Sequence, residues 1–159
     1  MAVVTQIKSL SGNLVFLSSF CSLIIAQFLK MVVYLLTHKH KQPMEAIQTA
    51  IWRTGGMPSS HSALVCSLTT SAWIKQGPFS DFFIFSLIFA LVVLRDALGV
   101  RRAAGLQAKA LNTLGKQAAE KLGLEFIPVQ EINGHSMPEV LIGGILGVSI
   151  AIVFYFVLL

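Results

Sequence analysis

Two histidines in this chain have neighbours suited to phosphorus chemistry. His61 follows Ser59 and Ser60, and His135 stands four residues before Glu139. Phosphoryl transfer requires a nucleophile, a proton donor for the leaving oxygen, and positive charge around the equatorial oxygens. One helical turn would let Glu139 orient the imidazole of His135. The two serines, at the start of a predicted helix, would add hydroxyls and free N–H groups that attract an anion.

Further polar residues lie within or beside apolar segments. They are Gln27 and Lys30 in the first segment, and Asp96, Arg101, Arg102, Gln107 and Asn112 after the third. In a continuous helix Asp96 and Gln107 share one face. Arg101 and Asn112 share another face, roughly 140° away. Without a bend, for which Gly99 is the candidate, one pair serves a site while the other attaches the helix to its neighbours.

A metal site is an alternative use of the same side chains, because imidazole and carboxylate groups both bind zinc or iron. The ligands would be His61, Asp96, His135 and Glu139. These residues are far apart in the sequence and show no short metal-ligand spacing. We therefore expect a site that works without a metal or other cofactor.

The composition is that of a protein that lives in lipid. The 159 residues are 55% hydrophobic and 12% charged, with a mean hydropathy of +0.75. Four apolar segments cover residues 14–36, 63–74, 82–94 and 140–159. We expect an all-α membrane bundle of about four embedded helices, forming a single domain over residues 1–159.

The two middle segments, with 12 and 13 uncharged residues, are too short to cross a bilayer as helices. The second becomes long enough by starting near Pro58, and the third by continuing to Val100. Both extensions draw polar groups to membrane depth, where such groups normally face a protein interior or a water-filled cavity. A short interfacial helix is predicted at 43–52, and a helical extension into the cytoplasm at 99–122.

Four spans place both termini on one side of the membrane. The other side then carries most of the basic residues: Lys39, Lys41, Arg53, Arg101, Arg102, Lys109, Lys116 and Lys121. The positive-inside rule makes that side cytoplasmic. The net charge of +5 does not indicate nucleic acid, because these residues flank membrane spans and lack an interleaved aromatic platform. Anionic headgroups or phosphate esters suit them better.

The last apolar segment contains Gly143 and Gly147, a GxxxG spacing that lets another helix approach closely. Packing within the chain is the simpler interpretation. A homodimer through these two glycines is the alternative.

Several stretches of sequence resemble the divergent branch of the type 2 phosphatidic acid phosphatase superfamily, which also includes vanadium-dependent haloperoxidases. The stretches are 55–63, 96–108 with 111–112, and 134–140, and Gln27 and Lys30 also fit the pattern. The resemblance extends from about residue 26 to 147. It implies that His61 is a general acid, that His135 is a nucleophile oriented by Glu139, and that a phosphohistidine forms and is hydrolysed.

The resemblance also implies that Ser59 or Ser60 binds phosphate oxygens, but other cage residues are missing. Gln130 stands where the family has an arginine, and the usual Lys-x6-Arg-Pro motif is absent. Lys30 and Arg101 are the best substitutes, followed by Arg102 and Arg53.

Two functions follow from these patterns. The first is an integral-membrane phosphatase acting on phosphoric monoesters or lipid phosphates. The second is a membrane protein that binds phosphate or lipid phosphate without cleaving it, as a transporter or a scaffold.

Overall fold

The computed structural model describes residues 12–37, 56–131 and 134–158. These residues form five helices and contain no strand, which confirms the all-α prediction. The helices are α1 (Leu14–Thr37), α2 (Ser60–Gln76), α3 (Asp81–Leu98), α4 (Val100–Leu122) and α5 (Met137–Leu158). The predicted interfacial helix at 43–52 and Arg53 lie outside the described residues.

Three helices of the described part are long and apolar enough to cross a membrane: α1, α3 with its continuation α4, and α5. The prediction of an integral membrane protein is thus confirmed. The helix α2 has 17 residues, about 26 Å of length. It packs against α1, α3 and α5, so it is the central helix of the bundle.

The interior of the bundle is built from small side chains. Its buried apolar residues are mostly alanines, and its largest fully buried side chains are all serines. Large apolar side chains face outward instead, as Phe85 (68% exposed) and Ile145 (66% exposed) illustrate. In lipid, large apolar groups are at ease on the surface, while small residues let helices approach closely. The outer surface therefore suits hydrocarbon.

Gly143 and Gly147 account for the close approach of α5 to α2. A Cβ atom added at Gly143 would collide with the carbonyl oxygen of Ser59, and one added at Gly147 would collide with that of Ala63. The same Ala63 carbonyl accepts a hydrogen bond from Ser22 of α1 at 3.2 Å. The predicted close packing is thus found within the chain, and a homodimer through these glycines would require these contacts to be given up.

The helix that leaves the membrane is interrupted at Gly99. Its φ and ψ are −104° and −82°, and its N–H still donates to the carbonyl of Arg95 at 2.9 Å. The third apolar segment therefore ends at Leu98 rather than continuing to Val100. The second glycine that the sequence offered as a bend, Gly105, lies within an unbroken α4.

The segment after α4 turns back along that helix. Gly123 ends α4 with a φ of +67°, a conformation that favours glycine. The ring of Phe126 then lies so close to Gly115 that a Cβ there would overlap it. Further on, Gly134 lies against the backbone of Arg102. This return places residue 135 beside the start of α4.

Candidate functional site

The polar residues predicted from the sequence gather at one end of the bundle, which we call the polar end (Lys30, His61, Asp96, His135 and Glu139). Two backbone hydrogen bonds hold the chain together there. The N–H of Ser59 donates to the carbonyl of Glu139 at 3.0 Å, and the N–H of His135 donates to the carbonyl of Ala97 at 3.3 Å. The starts of α2 and α5 and the end of α3 are thereby joined.

His135 and Glu139 form the best-defined contact of the polar end. The Nδ1 atom of His135 lies 2.8 Å from Oε2 of Glu139, and the imidazole is only 9% exposed. The N–H of Ser136 donates to the same oxygen at 3.3 Å. A carboxylate at Nδ1 holds the proton there and leaves the lone pair on Nε2. The contact was expected within one helical turn, but His135 precedes α5, which begins at Met137.

His61 lies in the first turn of α2 and is exposed. Charged groups from three other parts of the chain act on its imidazole: Lys30 of α1, Asp96 and Arg101 at the two sides of Gly99, and His135. The two histidines are therefore parts of one electrostatic environment. A second imidazole next to His135 can carry a proton to or from a reacting group.

Lys30 is a buried cation in an apolar helix, with 7% of its surface exposed. Its ammonium group interacts electrostatically with the carboxylate of Glu139. Its side chain passes Gly56, where an added Cβ would lie 3.0 Å from Cε. A charge at membrane depth is costly and normally serves a site or a partner. The position of Lys30 thus fits the predicted role of binding an anion.

Arg101 and Asp96 are brought together across the interruption at Gly99. The Nε atom of Arg101 donates to Oδ2 of Asp96 at 2.6 Å, and the side chains are 43% and 39% exposed. In a continuous helix the two residues would point in directions roughly 140° apart. Because the contact uses Nε, the terminal amino groups of Arg101 are the part that can face a phosphate. Its neighbour Arg102 is exposed.

The two serines before His61 differ in what their hydroxyls do. Ser59 is fully buried and caps α2, because its oxygen accepts from the N–H of Ser62 at 3.4 Å and from the Ser62 hydroxyl at 2.9 Å. Its own N–H is bound to Glu139. Ser60, in the first turn, is therefore the serine that better fits the predicted contact with phosphate.

The remaining predicted residues lie away from the polar end or beside it. Asn112 binds the backbone N–H and carbonyl of Val129 at 2.8 and 2.9 Å and the carboxylate of Glu131 at 2.9 Å, so it attaches the returning segment to α4. Gln107 is exposed on α4, and Gln27 is half-buried on α1, one turn before Lys30.

Some residues of the site were not singled out from the sequence. Ser62 supplies two of the contacts of Ser59, and Gly134 permits the approach of the His135 segment to Arg102. The spacing of two serines three apart at a helix start is a signal for such a cap. The need for glycine at 134 depends on a contact with a distant helix, for which the sequence contains no local signal.

An apolar groove of about 360 Å³ begins next to the polar end. It lies between α2, α3 and α5 and is lined by residues such as Cys66, Leu94, Val140 and Ile145. Leu94 stands two residues before Asp96, and Val140 directly follows Glu139. The groove therefore extends from the polar residues along the apolar surface.

The alternative metal site does not assemble among the described residues, where no group of three or more His, Cys, Asp and Glu side chains is placed to hold an ion. The donors at the polar end instead pair with each other or with cations. Glu139 contacts His135, and Asp96 contacts Arg101. The geometry thus fits a site for an anion better than a site for a metal.

Comparison with known proteins agrees with this arrangement. The family model described as the divergent PAP2 family matches residues 11–150. The uncharacterized membrane protein YuiD of Bacillus subtilis (strain 168) is 34% identical over 154 residues, which cover 89% of this chain and 93% of that protein. No solved structure matches. With the family match extending over all the residues of the polar end, this chain belongs to the divergent PAP2 family.

Proposed function

We propose that this protein is an integral-membrane phosphatase that uses His135 as its nucleophile and His61 as its general acid. The contact of 2.8 Å between His135 and Glu139 carries the proposal. It places an oriented imidazole beside a second histidine and the cations Lys30 and Arg101. Membership of the family supports a phosphatase-like superfamily, and the residues at the polar end supply the chemistry.

In the first step, the Nε2 lone pair of His135 attacks phosphorus and the ester P–O bond breaks. The leaving oxygen takes a proton from the protonated imidazole of His61. Glu139 stabilises the positive charge that develops on the His135 ring. Lys30 and Arg101 balance the charge on the phosphoryl oxygens.

In the second step, water attacks the phosphohistidine. The P–N bond breaks, its electron pair returns to Nε2 of His135, and the proton from water passes to His61. Inorganic phosphate leaves and both histidines regain their initial states. No metal takes part in either step.

A lipid phosphate is the substrate class that the surroundings of the site favour. The groove of about 360 Å³ can accept part of an acyl chain while the headgroup lies at the polar end. A soluble ester would leave this groove without use. We place the site on the cytoplasmic side, because α4, which begins at the polar end, carries five basic residues.

Measuring phosphate release from lipid and soluble esters tests the proposal. Wild-type protein in nanodiscs is expected to release phosphate, also after thorough chelation, and His135→Ala is expected to release none. Lys75→Ala, an exposed change at the other end of α2, is the matched control. Acid-labile phosphate trapped on His135 would support the mechanism. Equal release by wild type and His135→Ala across the panel would refute it, and loss on chelation would indicate a metal.

Binding without cleavage is the second candidate, and one observation favours it. Gln130 replaces the arginine that the superfamily places near its nucleophile, and it is exposed. The phosphate cage then has fewer cations to stabilise a transition state. Saturable binding of inorganic phosphate that needs Lys30, with no release from any ester, would favour this function.

A further inference from the structure

We propose that the apolar face of α4 docks on the anionic lipid surface of the membrane that holds the bundle. This helix has 23 residues, and none of them is buried. Among the described helices, its packing partner is α3, from which it continues after Gly99. Most of α4 is therefore uncovered by the described part of the protein.

The helix α4 has two distinct faces. Val100, Leu111, Leu114 and Leu122 fall within one third of the helical circumference, and each is more than half exposed. Lys109 and the other basic residues before position 117 point to the opposite side or flank it. A helix with such faces and a low overall hydrophobicity is of the kind that lies in a membrane interface.

The returning segment covers the polar side of α4. A cavity of about 670 Å³ separates Asn112 and Lys116 from Phe126 and Pro128. The leucines at 111, 114 and 122 do not line it. Because the segment lies on the other side, the apolar face needs an occupant from outside the described residues.

Position and charge both favour a lipid surface as this occupant. α4 starts at Gly99, directly after a helix that crosses the membrane, so its first turn lies near the headgroups. It carries five basic residues, Arg101, Arg102, Lys109, Lys116 and Lys121, against the single acid Glu120. Anionic headgroups attract such a helix. A second copy of α4 on the same face would bring like charges together.

Docking would have a consequence for the site, which rests on the proposed function. Arg101 belongs to α4, and the backbone of Arg102 supports Gly134 next to His135. A helix held on the surface would hold both the cation and the segment of the nucleophile at the level where lipid headgroups lie. The docking itself does not depend on catalysis.

Fluorescence quenching on the full chain in nanodiscs tests the docking. In a Cys21→Ala, Cys66→Ala background, a fluorophore is attached through Leu114→Cys or, as the matched control on the polar side, through Thr113→Cys. Size-exclusion profiles and melting curves verify that each variant folds. In anionic bilayers we expect the probe at 114 to be shielded from iodide and quenched by nitroxide-labelled lipid, while the probe at 113 remains open to iodide.

Charge supplies an independent arm of the test. Lys109→Gln combined with Lys116→Gln is expected to weaken docking roughly 30-fold. Zwitterionic bilayers should act in the same direction. Equal iodide access at 113 and 114 in anionic bilayers would overturn the proposal. Shielding at 114 without quenching by labelled lipid would also overturn it and would indicate cover by protein, such as a second copy.

Discussion

The polar end and the interior of the bundle bury polar groups in different ways. Within the described residues, the buried ionisable side chains are Lys30 and His135, and both lie at the polar end. The buried polar residues in the middle of the bundle are serines, such as Ser22 and Ser67. The opposite end has exposed polar residues, with Lys75 as an example.

This difference separates chemistry from packing. A buried charge in a membrane is costly, so it persists where it binds or reacts. A buried serine is small and can bond a backbone carbonyl, so it lets helices approach closely. Substitutions at the polar end should therefore change activity more than stability, and substitutions inside the bundle should do the reverse.

The largest effect is expected for His61→Asn. Loss of the general acid should lower phosphate release by about 10²- to 10⁴-fold, with little change in melting temperature because His61 is exposed. Steady-state rates on a lipid phosphate check this. A substrate with a leaving group that needs no proton should recover much of the rate. An unchanged rate on every substrate would remove His61 from the mechanism.

Lys30→Met compared with Lys75→Met contrasts the two ends directly. The first change removes a buried cation beside Glu139 and should lower activity by about 10²- to 10³-fold, the usual cost of losing one group that stabilises the transition state. The second removes an exposed cation and should leave activity unchanged. Activity and phosphate affinity are measured for both. Similar losses in the two variants would contradict a special role for the polar end.

Gly147→Ala compared with Gly144→Ala tests the interior. A Cβ at 147 would collide with the Ala63 carbonyl, whereas one at 144 would lie 3.3 Å from the Cys66 sulfur, which can adjust. We expect the first to lower the free energy of unfolding by about 1–3 kcal/mol and the second to have a smaller effect. Thermal unfolding in detergent measures both. A more stable Gly147→Ala protein would show that α5 does not pack on α2 as described.

The smallest effect is expected for Ser22→Ala. Its hydroxyl bonds the Ala63 carbonyl of α2 at 3.2 Å and also the Ser19 carbonyl of its own helix at 2.8 Å. A bond between membrane helices contributes about 0.6 kcal/mol. The control Ser149→Ala removes a bond within one helix, to Ile145. Unfolding curves should place Ser22→Ala slightly below the control, and the opposite order would argue against the bond to α2.

Much of the helical architecture could be predicted from the sequence. The apolar segments appear as α1, α3 and α5, and the segment starting near Pro58 appears as α2. Lipid imposes a simple rule, since every backbone group in the hydrocarbon must be satisfied within a helix. Boundaries were less accurate, because Gly99 interrupts a segment that was expected to continue.

The site was only partly predictable. Spacing alone pointed to the contact of His135 with Glu139, since the two residues are four apart. The pairing of Asp96 with Arg101 was not predicted, because it requires the interruption at Gly99. Nor did the sequence reveal that Asn112 binds Val129 rather than the site, since that bond joins residues 17 positions apart.

The sequence by itself determined that this protein lies in a membrane, and it identified the residues capable of phosphorus chemistry, because hydropathy and residue type are local properties. Only the tertiary structure decided which of these residues meet. Lys30 reaches Glu139 and His61 because α1, α2 and α5 pack through alanine, serine and glycine, and Ser59 becomes a cap because its hydroxyl is buried. Such contacts depend on distances between helices, which no local pattern in the chain encodes.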